Sequence, residues 1–145
     1  MTRATMRDLA LRGAVAALLA SAGCSVTGAD GGEQPGLIQI LPSAPAQVSV
    51  PQTAPRGEPF TVEVVTHGGG CLTKGPTRVR TGGMSADVRP YDRDSGGDVC
   101  PANVELYRHT ATLRFDQPGT ATVRIHGRGE PGREAVTVTR TVTIQ

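Results

Sequence analysis

Apolar and polar residues alternate through the stretch Tyr107-Arg-His-Thr-Ala-Thr-Leu-Arg-Phe115. Its odd-numbered positions hold Tyr, His, Ala, Leu and Phe, whereas its even-numbered positions hold only Arg and Thr. Successive side chains of a β-strand point to opposite faces of a sheet, so an alternation of period two predicts one buried and one solvated face. We therefore interpret this stretch as a half-buried strand.

The same period recurs on both sides of this stretch. The other alternating segments, bounded by turn residues such as Gly, Pro and Asp, are residues 48–50, 60–64, 84–88, 121–125 and 136–144. No segment after residue 24 has the convincing period of an amphipathic helix. Six or seven short strands over about 100 residues are typical of a two-sheet sandwich. The sequence predicts an all-β, antiparallel two-sheet sandwich of about seven strands over residues 37–145.

The last third of the chain resembles a known type of domain. The segments Phe115-Asp-Gln-Pro-Gly-Thr-Ala-Thr-Val-Arg-Ile125 and Val136-Thr-Val-Thr-Arg-Thr-Val-Thr-Ile144 are similar to the closing strands of immunoglobulin-like and PKD-like domains. The resemblance implies an immunoglobulin-like sandwich. Unlike antibody domains, the chain has no tryptophan, and Cys71 and Cys100 lie outside the expected central strand positions. These two cysteines are expected to staple a loop to a strand edge.

The parity of the last strands predicts which residues share a face. Phe115 and Ala121 should both point inward, and pairing them leaves residues 116–120 as the connection of a hairpin. Arg140 interrupts the inward set of the final strand, which indicates either a bulge or the rim of the sandwich. The other face of the hairpin would then carry a row of Thr, Arg and His side chains: Arg108, Thr110, Thr112, Arg114, Thr122, Arg124 and His126.

Residues 1–23 have the composition of a secretory signal peptide. Three arginines precede the uncharged run 13–23, which is shorter than the about 20 apolar residues of a membrane-spanning helix. The segment Leu19-Ala-Ser-Ala-Gly-Cys24 that closes this region resembles the lipobox of bacterial lipoproteins. In that family the chain is cleaved before the cysteine, which carries diacylglycerol on its thiol and an acyl chain on its amino group. Ser21 stands where the family usually has leucine.

The lipobox resemblance implies a domain outside the cytoplasm, anchored through Cys24 to the cell membrane or to an outer membrane. An ordinary signal peptide cleaved after Ala22 is the alternative. The glycine-rich residues 24–36 would then be the lipidated cysteine and a flexible tether. In this interpretation the signal-peptide helix and the tether precede the sandwich.

Assigning Cys24 to lipid leaves an even pair of cysteines and a balanced charge. In an exported chain, Cys71 and Cys100 are expected to form a disulfide. Of the 15 basic and 13 acidic residues, the first 23 residues contain three arginines and one aspartate, which leaves twelve of each sign. A neutral chain gives no reason to expect nucleic acid as a partner or electrostatic attraction to anionic lipid.

Two metal sites are alternatives to this interpretation. His67, Cys71, Cys100 and His109 offer a set of ligands that tetrahedral zinc accepts, although no Cys-x-x-Cys hook is present. The stretch Asp92-Arg-Asp-Ser-Gly-Gly-Asp98 resembles a calcium loop but departs from the EF-hand pattern at Gly96 and Asn103. A solvated turn is the other interpretation of that stretch.

No catalytic motif is recognisable in the chain. A Gly-x-Ser-x-Gly elbow is missing, and the glutamates are scattered through turns and strand ends. Tyr91 is the best candidate for an aromatic binding anchor. We therefore expect a non-enzymatic, cofactor-free binding or structural module of the cell envelope with a protein or glycan partner. A small ligand- or metal-binding lipoprotein that uses the loops around Cys71 and Asp92–Cys100 is the alternative.

Overall fold

The computed structural model of the protein describes residues 32–41, 43–130 and 134–145. Among these residues there is no helix long and apolar enough to cross a membrane. The predicted signal peptide, Cys24 and residues 25–31 lie outside the described residues. The described part of the chain forms nine strands: β1 (Glu33–Pro35), β2 (Val48–Ser49), β3 (Thr53–Ala54), β4 (Phe60–Gly68), β5 (Leu72–Gly82), β6 (Ser85–Asp94), β7 (Glu105–Leu113), β8 (Gly119–Arg128) and β9 (Ala135–Ile144).

The strands form two sheets. The smaller sheet has the order β2-β4-β7, and the larger one contains β1, β3, β5, β6, β8 and β9. Strand β6 is the centre of the larger sheet: β5 lies along one of its edges, whereas β1 and β8 share the other edge. Beyond β8 the order continues through β9 to the short strand β3. The all-β, two-sheet prediction is thereby confirmed, with nine strands where about seven were expected, because β1, β2 and β3 have only two or three residues each.

The alternating residues supply the core. Val62 and Val64 of β4 are buried, as are Ala111 and Leu113 of β7. The larger sheet contributes inward residues from β3, β6, β8 and β9, and Ile38 from the chain after β1 packs with them. They are Ala54, Ala86, Val88, Ala121, Val123, Ile125, Val138, Val142 and Ile144. Each buried aliphatic side chain of the size of Val, Leu or Ile contributes about 1.5–3 kcal/mol, so this layer is the main source of stability.

The prediction of purely antiparallel pairing is wrong at two places. Residues Ser85–Val88 of β6 pair with Thr122–Ile125 of β8 in parallel, and β3 also pairs with β9 in parallel. The predicted hairpin that pairs Phe115 with Ala121 is also wrong. Strand β7 pairs with β4 in the smaller sheet, so the chain crosses to the other sheet between Leu113 and Gly119. Phe115 and Ala121 are both buried as expected, because parity fixes the face of a side chain but not its neighbour.

Arg140 neither forms a bulge nor breaks the register. It stands opposite Val123 in a ladder between β8 and β9 that runs without a shift from Gly119 to Arg128. Its side chain is half-buried, and its guanidinium donates a hydrogen bond to the carbonyl of Thr139 at 3.0 Å. The long apolar stem therefore packs within the inward row while the charged head turns back to the main chain.

The predicted boundary between tether and domain is wrong by a few residues. Residues 33–35 form β1 against β6, and the carbonyl of Gly32 accepts a hydrogen bond from the amide of Asp94 at 3.1 Å. Strand pairing of this kind uses only main-chain groups, so a polar, glycine-rich composition does not prevent it. Glu33 adds ion pairs with Arg78 and Arg93 that the sequence gives no means to foresee.

The predicted disulfide joins Cys71 to Cys100, with their Cα atoms 4.9 Å apart. Cys71 precedes β5 and Cys100 lies in the loop before β7, so the bridge staples a loop to a strand end, as expected. The bridge spans 29 positions, and closing such a loop stabilises the fold by about 3.5 kcal/mol in the chain-entropy model. Gly69 allows the same loop to approach, because a Cβ there would lie 2.3 Å from the carbonyl oxygen of Asn103.

A buried histidine ties the two sheets together. His109 of β7 is fully buried, and its Nδ1 lies 2.9 Å from the hydroxyl of Thr77 on β5. Its Nε2 lies 3.2 Å from the hydroxyl of Thr66 on β4. A neutral imidazole has one donor and one acceptor, so both hydroxyls are satisfied. Burial lowers the pKa of His109 from 6.5 to about 4, and nearby Lys74 acts in the same direction.

This buried imidazole makes stability depend on pH. The unfolded chain binds a proton at His109 near pH 6.5, whereas the folded chain binds it near pH 4. Acid therefore favours the unfolded state across that window, by about 3 kcal/mol in total. We predict that urea unfolding at pH 7 and pH 4 shows this loss for the natural protein and not for His109→Gln. His67→Gln, a change at the half-exposed histidine of β4, should retain the loss; equal losses in all three proteins would contradict the assignment.

Candidate binding site

The structure does not assemble the zinc set proposed from the sequence. Cys71 and Cys100 are joined to each other, and His109 faces two threonines inside the sandwich. His67 lies on the opposite face of β4, next to Leu37 and Leu106. Within the described part of the chain, no three His, Cys, Asp or Glu side chains come close enough to hold a metal ion. The zinc interpretation is therefore wrong for these residues, because oxidation consumes both thiols.

Among the described residues, the carboxylates of residues 92–98 form no cluster of three metal ligands. Asp92 belongs to β6 and is fully buried, with Oδ2 accepting a hydrogen bond from Arg128 at 3.2 Å. Asp94 caps its own loop, since Oδ1 accepts from the amide of Gly96 at 2.9 Å. The two carboxylates thus serve different parts of the fold. Burial raises the pKa of Asp92, against the opposing effect of Arg128. Its Oδ1 has no hydrogen-bond partner among the described residues.

Tyr91, the candidate aromatic anchor, lies in strand β6. It pairs with Pro35 of β1, and the guanidinium of Arg78 on β5 lies 4.6 Å from the centre of its ring. Glu33 forms ion pairs with both Arg78 and Arg93. The Arg78 guanidinium is therefore held between a carboxylate and an aromatic face. The candidate anchor is therefore fixed in place on the sheet, which reduces the entropy it would lose on binding.

Tyr91 is part of a row of outward side chains on the larger sheet. In β6 the inward positions alternate with outward ones, and β5 presents its matching residues beside them. These outward positions carry five arginines and two carboxylates, with β1 and β8 contributing to the row. They are Arg78, Arg80, Arg89, Arg93, Arg124, Glu33 and Asp87. We call this surface the arginine face. Its excess of positive charge contrasts with the neutral composition predicted for the chain after Cys24.

An ion-pair network occupies the middle of the arginine face. The carboxylate of Asp87 accepts hydrogen bonds from Arg124 Nε at 3.0 Å and from His126 Nε2 at 2.7 Å. The other ring nitrogen of His126, Nδ1, lies 3.1 Å from the hydroxyl of Thr137. Because Nε2 donates to the carboxylate, Nδ1 of the neutral ring accepts from that hydroxyl. The hydrogen bond from Arg124, followed by that from His126, lowers the pKa of Asp87 from 3.8 to about 2.

This network has the hydroxyl–imidazole–carboxylate order that activates nucleophiles in some enzymes. Here Arg124 shares the carboxylate with His126 and neutralises much of its charge. A groove lies beside the network, where β6 and β8 separate. Thr137 stands on the open surface of β9 and does not line this groove. The arrangement therefore fixes the orientation of the His126 ring, which does line that groove.

The groove opens where β6 and β8 separate. Their pairing ends at Val88 and Ile125, and the chain after β1 enters the gap. The carbonyl of Gly36 accepts a hydrogen bond from the amide of Arg128 at 3.0 Å. The amide of Gly36 donates one to the carbonyl of Pro90 at 2.9 Å. The groove has a volume of about 240 Å³, and its lining combines an arginine, a tyrosine and a histidine with small residues. The lining residues are Pro35, Arg89, Tyr91, His126, Gly127 and Ala135.

Gly127 is required for this geometry. A Cβ at position 127 would lie 2.6 Å from the carbonyl oxygen of Gly36 and 2.7 Å from the side chain of Ile38. Any larger residue would push the inserted segment away from β8. The groove and the closure of the sheet by residues 33–38 therefore depend on the same glycine.

Arg89 is the exposed cation of the groove. Among the described residues it has no carboxylate within ion-pair distance, whereas Arg78, Arg93 and Arg124 each have one. A guanidinium presents up to five N–H donors in a planar fork that matches carboxylate and phosphate groups. Arg89 thus places an unused anion-binding group next to an aromatic ring and a fixed imidazole.

Sequence reasoning selected Tyr91 and the Arg/Thr row but missed the site. Arg124 and His126 were assigned to a face shared with Arg108 of β7, whereas they lie on the other sheet beside Asp87. The only sequence signal for the site is the outward parity of Asp87, Arg89 and Tyr91 in one strand. Parity alone does not indicate that β8 is the neighbour.

Comparison with known proteins gives no relative for this chain: no protein-family model, curated protein or solved structure matches it significantly.

The ion-pair network yields a testable effect of pH on stability. The lowered pKa of Asp87 means that its carboxylate stabilises the fold above pH 3.8 and loses this effect as the pH falls through about 2. Because the network is partly solvated, we expect Asp87→Asn to lower the free energy of unfolding by only about 1 kcal/mol at pH 7. The difference from the natural protein should vanish near pH 2. A difference that stays constant from pH 7 to pH 2 in chemical denaturation would contradict this role.

Proposed function

We propose that the protein is a lipid-anchored cell-envelope domain that binds an acidic glycan on its arginine face. The observation that carries the proposal is the exposed guanidinium of Arg89, which has no ion-pair partner among the described residues and lines a groove with Tyr91 and His126. A binding site of this kind needs no catalytic group. The proposal retains the non-enzymatic binding module expected from the sequence and assigns it a surface.

The chemistry of the groove favours a sugar that carries a carboxylate or a phosphate. Tyr91 offers an aromatic surface to the apolar side of a sugar ring, and Arg89 offers a bidentate partner to an acidic substituent. The surrounding arginines add a long-range attraction that raises the rate of encounter with a polyanion and that salt screens. An open groove on the face of a sheet suits a repeating chain better than a small molecule, because small-molecule sites enclose most of their ligand.

The anchor is proposed from the sequence of residues 19–24. The resemblance to a lipobox supports lipidation of Cys24, and the disulfide between Cys71 and Cys100 agrees with an oxidising compartment. Attachment through two or three acyl chains gives stable anchoring, whereas one chain does not. A weakly binding face on an anchored protein gains avidity, since many copies on one membrane can engage the same polymer.

Binding to an acidic oligosaccharide tests the ligand proposal. We expect oligogalacturonate to shift the NMR signals of Arg89, Tyr91 and His126, and the neutral oligosaccharide maltohexaose to leave them unchanged. Arg89→Gln should weaken the affinity by about tenfold, the equivalent of one lost charged hydrogen-bonding group. Added salt should weaken the binding of the natural protein further.

Arg108→Gln is the matched control for this experiment. It removes the same charge from the outer face of the smaller sheet, where Arg108 pairs with Glu63. The control should bind oligogalacturonate with nearly the natural affinity. Equal weakening by both substitutions, or binding of maltohexaose at the same residues, would show that the arginine face has no specific site.

Metabolic labelling tests the anchor separately. Cells that express the full chain and receive a clickable fatty acid should label the natural protein and should not label Cys24→Ala. The natural protein should also fractionate with membranes. A Cys24→Ala protein that still incorporates the fatty acid would exclude Cys24 as the acceptor, and an unlabelled natural protein would exclude the anchor.

A further inference from the structure

The chain leaves the sandwich at the disulfide end. The carbonyl of Gly32 accepts a hydrogen bond from the amide of Asp94, and the next amide, that of Ser95, donates to the carbonyl of Cys71 at 2.9 Å. Cys71 in turn is bonded to Cys100. The point at which residues 24–31 join the described fold is therefore adjacent to the stapled loop of residues 95–104.

The same end carries the most exposed large apolar side chains of the described fold. Val99 and Val104 flank the disulfide cysteine Cys100 in the loop and are 89% and 79% exposed. Leu106, at the start of β7, is 59% exposed. The loop is held in place, since Gly70 donates a hydrogen bond to the side chain of Asn103 at 2.9 Å. Aliphatic groups fixed in this exposed position favour contact with an apolar partner.

We propose that the disulfide end lies against the lipid bilayer, with Val99 and Val104 entering the headgroup region. The inference rests on the proposed lipidation of Cys24. Eight residue-to-residue steps separate Cys24 from Gly32, so the connection reaches at most about 26–29 Å even when fully extended. The opposite end of the sandwich lies nine steps along β6 from Asp94 to Ser85, or about 30 Å away. A lipid on Cys24 therefore holds the disulfide end, and not the opposite end, near the membrane.

The carboxylates beside the exposed apolar side chains give no attraction to an anionic bilayer. Asp98 lies next to Val99, and Glu105 lies between Val104 and Leu106. These carboxylates do not attract anionic lipid, so the contact depends on the apolar side chains and on the anchor. Zwitterionic phosphatidylcholine is accordingly the bilayer that the surface fits. The arginine face extends along the side of the sheet, so docking at the end leaves it accessible to a polymer.

Tryptophan reporters test the docking, because the chain contains no tryptophan of its own. The full, acylated chain carrying Val99→Trp is reconstituted into phosphatidylcholine vesicles with and without brominated acyl chains. Its emission should shift to shorter wavelength in vesicles and lose intensity with brominated lipid. Adding Val104→Asp to Val99→Trp should reduce both effects, since a charge would enter the headgroup region with the reporter.

Gln117→Trp is the control at the opposite end. Gln117 is exposed and lies beside the β5–β6 turn at Gly82 and Gly83. It should show neither the shift nor the quenching. Equal quenching of the two reporters, no quenching of Val99→Trp, or a spectral shift that bromination does not quench would overturn the docking, the last by indicating contact with a protein surface.

The mass of the same preparations separates failure of the docking from failure of the anchor. Acylated Val99→Trp protein that is not quenched would leave the lipidation of Cys24 intact and overturn the docking alone. Protein whose mass shows an unmodified Cys24 would overturn the anchor and, with it, the docking inference.

Discussion

The parallel pairing of Ser85–Val88 with Thr122–Ile125 organises the rest of the structure. It joins β6 to β8 and so requires the intervening strand, β7, to leave for the smaller sheet. The result is a sandwich in which the inward residues of both sheets meet. The same pairing places Asp87 opposite Arg124 on the outer surface, where the ion-pair network forms. The end of this pairing after Val88 opens the gap that the chain after β1 fills.

The alternating pattern predicted most of the core and the class of the fold. Every residue of the inward sets in β8 and in the second half of β7 is buried, from Ala111 and Leu113 to Val123 and Ile125. The pattern could not predict the partner of each strand. A strand between two polar turns presents the same alternation whether its neighbour is the preceding strand or one further along the chain. The hairpin proposed at Phe115 and Ala121 failed for that reason.

The candidate site could not be predicted either, because its residues are brought together by strand pairing that the sequence pattern does not reveal. Tyr91 was selected from its aromatic character alone, yet the residues around it come from two other strands, Arg78 from β5 and Glu33 and Pro35 from β1. Strand β1 has only three residues, and its sequence shows no alternation of apolar and polar residues. The segment that forms one wall of the groove was therefore predicted to be a tether. The disulfide was predictable because an even cysteine count, in a chain that is expected to be exported, indicates a bridge. The buried role of His109 required knowledge of which threonines face it.

One end and one face of the domain carry the two roles that we propose. The disulfide end joins the segment that leads to Cys24, while the arginine face lies on the side of the larger sheet. The positive charge of that face is local, since Arg108 and Glu63 pair on the other sheet. An anchored domain with a lateral polyanion-binding surface can hold a polymer parallel to the membrane. The assignment of the arginine face depends on β6 and β8 being neighbours, because that pairing positions the groove and the arginines together.

Proton–proton contacts measured by NMR in solution test this neighbour relation most directly. With β6 beside β8, nuclear Overhauser effects should connect the backbone of Ala86 with that of Val123, and that of Val88 with that of Ile125. Backbone contacts between Phe115 and Ala121, together with the absence of contacts between β6 and β8, would instead place β7 beside β8. That result would contradict the sandwich, the ion-pair network and the groove at once.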